Sequence, residues 1–155
     1  MILVYNYILV SAVISWAAAQ IIKTILWVIQ NKSFNGERLL GSGGMPSSHT
    51  SFVSASAIAV MRKTGADSVE FAIMFIIAAV VIYDAMGVRY AAGLHAREIN
   101  KMNKYLIDFS TSSDNKIKLE GGNKKELKEF LGHTPFEVLG GVLLGILVAL
   151  IVPLK

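Results

Sequence analysis

Between Ile2 and Gln30 the chain carries a single charged side chain, Lys23. So long a stretch with so little charge has few stable solutions. About 20 apolar residues in a helix already cross the roughly 30 Å hydrocarbon core of a bilayer, so this stretch is long enough to span one. Tyr5, Trp16 and Trp27 supply rings suited to the headgroup layer. No basic leader followed by a small-residue cleavage site precedes it, so it reads as a retained span rather than a removable signal.

Three further apolar runs follow. Phe52 to Met61, counted as a helix from Ser47 or Ser48 to Lys63, is marginal for a span, and its Ser and Ala content suits contact with other helices more than with lipid. Val69 to Tyr83 ends at Asp84, and Phe136 to Leu154 contains the close-packing spacing Gly141-x-x-x-Gly145. The polar region between these last two runs has its own pattern. From Arg89 to about Phe109, Leu94, Ile99, Met102, Leu106 and Phe109 recur among charged residues, as in a helix that continues the third run or lies at the interface. Ser110 to Asn123 reads as a loop, and Lys124 to Leu131 as a short amphipathic helix stopped by Gly132. The expected fold is all-α. It is a polytopic helical membrane bundle with about four spanning helices and a short interfacial helix, one membrane-embedded domain over 1–155 with a polar loop at 110–132.

Lys and Arg are unevenly shared between the two sides of such a bundle. The loop from Gln30 to Pro46 holds two and the Arg89 to Gly132 region nine, against three on the side of the termini and the Arg62 to Asp67 turn. The positive-inside rule places the polar loops in the cytoplasm, which suits a bacterial inner or plasma membrane. The net charge of +4 is interleaved with acids and borders apolar spans, so anionic headgroups are nearer partners than nucleic acid. Cys is absent, which excludes disulfides and thiolate metal sites. No close set of His, Asp and Glu has metal-ligand spacing, and no Walker phosphate loop is present, so neither a metal nor another cofactor is expected.

The chemistry concentrates in Gly41-Ser42-Gly43-Gly44-Met45-Pro46-Ser47-Ser48-His49. Glycines allow a tight turn, Pro46 suits a first helical turn, and Ser47 or Ser48 can cap it. The unpaired amides of that helix start attract an anion, with His49 beside them. By itself this pattern also describes a capped membrane helix with an interfacial histidine.

Pro46-Ser47-Ser48-His49 resembles the Pro-Ser-Gly-His motif of the type 2 phosphatidic acid phosphatase superfamily, which includes the vanadium-dependent haloperoxidases. Together with Tyr83-Asp84-Ala85-Met86-Gly87-Val88-Arg89 and Gly132-His133-Thr134-Pro135-Phe136-Glu137-Val138, it is similar to the small divergent bacterial branch of that superfamily. The resemblance implies a metal-independent phosphatase acting through a phosphohistidine. It makes His133 the nucleophile, Glu137 its orienting carboxylate and His49 the general acid, with Ser47, Ser48 and Arg89 on phosphate. The family's first basic motif is not matched cleanly. Lys32 and Arg38 stand one residue too close, and Lys23 is an alternative phosphate ligand alongside Arg38. Ser48 stands where the family has Gly, and Glu137 where it has Asp.

His95 competes with His133 because it follows Arg89 at the family's spacing, but it has no carboxylate four residues on. Asp84, at the end of an apolar run, needs a partner or a wet pocket; Lys23, Arg89 or a group on another helix are the candidates. Arg97 is a further headgroup candidate. The expected partner is a phosphorylated membrane lipid, with a homodimer through the glycine-bearing fourth run. The rivals to an enzyme are a noncatalytic phospholipid-binding scaffold and a lipid transporter.

Overall fold

The computed structural model of the protein describes residues 6–32, 44–112, 127 and 132–154. Five helices lie in these segments: α1 (Tyr7–Asn31), α2 (Ser48–Thr64), α3 (Val69–Met86), α4 (Val88–Ser112) and α5 (Pro135–Ile151). Asn6 opens α1 by accepting from the Ile8 and Leu9 amides at 3.0 and 3.2 Å, and Lys32 closes it in the left-handed region, φ 48°. Pro46 does not enter the first turn of α2. It precedes the cap Ser47, after a cis Met45–Pro46 bond.

The solvent preference of this bundle is inverted relative to a soluble protein. Ser11, Ser15, Lys23, Ser51 and Ser54 are buried, while Leu9, Val13, Ile21 and Ile25 on α1, Ile73, Phe75 and Ile76 on α3, and Leu139, Leu143 and Leu147 on α5 are exposed. Only 11% of the most apolar window of the α3–α4 rod lies inside the protein, which a soluble core helix would not tolerate. Hydrocarbon is the solvent in which such an outer surface is stable and polar groups turn inward to find partners. The fold is an all-α membrane bundle.

α2 is its axis, with α1, α3 and α5 packed around it. Small residues make this closeness available. A β-carbon on Gly141 would fall 2.5 Å from the Ser47 carbonyl oxygen, and one on Gly145 would fall 2.6 Å from that of Ser51. The glycine face of α5 expected to meet a second copy is therefore occupied by α2 of the same chain. Ser15 and Ser51 join α1 to α2 with hydroxyls 2.5 Å apart, and Ala78 of α3 meets Val53 and Ala57. At the far end Tyr7 donates to the Ala149 carbonyl at 2.7 Å. Arg62 donates to Tyr7 Oη, to Ala149 and to Val152, so one side chain closes the C-terminus of α5 and ties three helices.

α4 continues α3 after Gly87, and among the described residues its backbone packs against no other helix. Together they cover 41 residues up to Phe109, interrupted at Gly87, which is more helix than one crossing of the hydrocarbon needs. α4 therefore leaves the bundle at the end where α2 and α5 begin. Its helix extends through Ser112, which shortens the loop expected from Ser110; most of the remaining loop and the Lys124 to Leu131 helix lie outside the described residues, Leu127 excepted.

Gly145→Ala is expected to destabilise the bundle by about 1–3 kcal/mol through overpacking. Leu143→Ala, on the lipid-facing side of the same helix, should cost less. Thermal unfolding in detergent measures both; equal effects would contradict the packing described.

Candidate active site

α2 and α5 are parallel, and both begin at the end of the bundle where α3 gives way to α4. Their starts are joined directly, since the Ser47 amide donates to the Glu137 carbonyl at 2.9 Å. Ser47 is fully buried, its hydroxyl caps the Thr50 amide, and Ser48 is nearly as buried. Neither hydroxyl belongs to the pocket wall, so these serines shape the turn. Among the described residues, the Ser48 and His49 amides have no acceptor, as the first turn of a helix leaves them.

A pocket of about 190 Å³ lies between these elements, lined by His49, Val80, Val81, Asp84, Ala85, Arg89 and His133. His49 comes from the first turn of α2, Asp84 and the apolar wall from the end of α3, and Arg89 from the start of α4. His133 comes from the segment ahead of α5. Two contacts seat it. Its amide donates to the Ala85 carbonyl at 3.1 Å, and Gly132 lies so close to α4 that a β-carbon there would fall 2.2 Å from Tyr90 Cα.

His133 is 5% exposed, and its Nδ1 lies 2.9 Å from Glu137 Oε2. α5 starts only at Pro135, so the two side chains do not meet across one helical face. The carboxylate instead closes a capping box: the Thr134 hydroxyl accepts from the Glu137 amide, and Glu137 Oε2 accepts from the Thr134 amide at 3.2 Å. A carboxylate can only accept here, so Nδ1 carries the hydrogen, and in the neutral imidazole Nε2 is the nitrogen with the free lone pair.

Lys23 is 4% exposed on α1 and packs by the Gly44 turn, where a β-carbon would stand 3.3 Å from its Cγ. It does not itself line the pocket. Lys32 ends α1 roughly 14 Å farther along the helix and does not line the pocket. Arg38 lies outside the described residues. Asp84 pairs with Arg89, Oδ2 to Nε at 2.5 Å. His95 and Arg97 are exposed on α4 and absent from the pocket wall; Asn100, one turn on, holds the backbone of Leu127 through both amide atoms.

Val80, Val81, Ala85 and Gly132 were not expected at the site. The first three are ordinary span residues, and Gly132 reads as a helix stop. The signal for Thr134 was present in Thr134-Pro135-Phe136-Glu137, a capping box with Pro inside it. Among the described residues no three His, Asp or Glu side chains form a metal-ligand set.

Fold and pocket together define a helical membrane protein with a polar site sunk into one end of its bundle. The chain belongs to the divergent PAP2 family, whose model matches residues 4–148. It is 38% identical over 153 residues to the uncharacterized membrane protein YuiD of Bacillus subtilis, covering 96% of this chain and 95% of that one. No solved structure matches.

Glu137→Ala is expected to open the capping box at a cost of about 0.5–2 kcal/mol and to release the tautomer of His133. Imidazole nitrogen chemical shifts would then report loss of the Nδ1–H form. An unchanged tautomer would show that the carboxylate does not set it.

Proposed function

We propose that this protein hydrolyses the terminal phosphate of a lipid phosphomonoester or diphosphate. The observation that carries the reading is one pocket wall shared by His49, Arg89 and His133, with His133 already oriented by Glu137. The His133 Nε2 lone pair attacks phosphorus, and the bond from phosphorus to the lipid oxygen breaks. His49 gives that oxygen its proton. Water then attacks the phosphohistidine, the phosphorus–nitrogen bond breaks, and His49 takes the water proton, releasing inorganic phosphate. Arg89, Lys23 and the open amides of Ser48 and His49 hold the phosphoryl oxygens as charge shifts between them.

An amphiphilic substrate is supported by the walls. Val80, Val81 and Ala85 are apolar, and Val80 is also exposed on the outer surface of α3, so a chain attached to the phosphate can pass from pocket to lipid. The excess of Lys and Arg in the loops at this end supports a cytoplasmic opening.

The test is phosphate release by the purified protein from phosphatidate, phosphatidylglycerophosphate and polyprenyl diphosphate, with and without chelator. Turnover of at least one substrate should survive chelation, disappear in His133→Ala, and fall by about 10²–10⁴-fold in His49→Ala. Loss of turnover in His95→Ala but not in His133→Ala would reassign the nucleophile. Phosphate binding without turnover by folded protein would replace the enzyme with a lipid-phosphate-binding scaffold, the reading favoured by the side chain of Ser48 where the family has Gly.

A further inference from the structure

A carboxylate in the wall of a phosphate pocket is an electrostatic cost, since it repels the ligand the pocket would hold. Asp84 is such a carboxylate. Its contact with Arg89 is not one that helix geometry produces by itself. Residues five apart on a regular helix are separated by roughly 140° around the axis and do not meet. They meet here because Gly87, with φ −96° and ψ −98°, breaks the rod between them.

The manner of the contact is informative. Asp84 accepts from Nε, the inner edge of the guanidinium. Among the described residues Arg89 has no other partner, so both terminal nitrogens remain available to take two oxygens of one phosphate. Both side chains are partly exposed, 40% for Asp84 and 59% for Arg89, and an exposed ion pair alone contributes little to stability.

We propose that Asp84 is a positioning residue for phosphate: through Nε it fixes the Arg89 guanidinium so that the two terminal nitrogens face the phosphoryl group. This rests on the pocket being a phosphate site, as in the preceding reading. It also makes Asp84, Gly87 and Arg89 one unit, in which the break at Gly87 exists to let the acid reach the base.

Charge alone and positioning predict opposite signs. Removing the negative charge of Asp84 while keeping its shape should tighten anion binding if Asp84 only repels, and weaken it if Asp84 aims Arg89. The experiment is titration of the full-length protein in detergent with inorganic phosphate, followed calorimetrically, for wild type, Asp84→Asn, Asp84→Glu, Arg89→Ala and the Asp84→Asn/Arg89→Ala double variant. The expected result is about tenfold weaker binding in Asp84→Asn, partial recovery in Asp84→Glu, and a double variant no weaker than Arg89→Ala, the non-additivity of residues acting as a unit. Unchanged or tighter binding in Asp84→Asn, or additive losses in the double variant, would overturn the proposal. If wild type does not bind phosphate, or Arg89→Ala binds it as wild type does, the phosphate-site reading itself fails.

Discussion

The closeness of α5 to α2 is the constraint from which the rest follows. Hydrocarbon offers no hydrophobic reward for bringing helices together, so packing has to come from surfaces that fit. Gly141 and Gly145 supply that fit by seating α5 against the carbonyls of Ser47 and Ser51. Because the two helices are parallel, this same contact delivers two helix starts to one place, and the Ser47 amide to Glu137 carbonyl bond joins them. His49 and His133 come from those two starts. The positive ends of two helix dipoles thus converge beside a pocket that also holds Arg89, a favourable field for an anion.

The opposite end has the complementary problem. The last carbonyls of α5 have no amide to bond to, and an unmet carbonyl near lipid costs several kcal/mol. Arg62 and Tyr7 meet them from neighbouring helices. The bundle is therefore polar at both ends for different reasons: a structural closure at one, and at the other a pocket whose groups have capacity left over.

Much of this was legible in the residues. Apolar runs separated by turn residues located the spanning helices, because lipid demands uninterrupted hydrogen-bonded helix and tolerates little charge. The triad of His49, Arg89 and His133 followed from motif resemblance, and the structure brings those three to one pocket. Contacts across non-helical backbone were harder to read. Asp84 and Arg89 stand at a spacing that no regular helix brings together, so their pairing depends on the conformation of Gly87. Glu137 reaches His133 through a capping box at the start of α5, with His133 itself outside the helix. The glycines of α5 announced close packing correctly, but glycine spacing says nothing about whether the partner is another copy or another helix of the same chain.

The glycine contacts carry one more consequence, for motion. Gly141 and Gly145 lie one turn apart and rest on carbonyls that are themselves one turn apart, Ser47 and Ser51. The two surfaces fit as teeth in matching notches. α5 can rotate or slide on α2 only by lifting out of them, and the next fit along the axis lies a full pitch of about 5.4 Å away. A slip of that size would move the His133 segment off Ala85 and Glu137 off the Ser47 amide together. The contact that packs α5 on α2 thus also indexes the two histidines against each other.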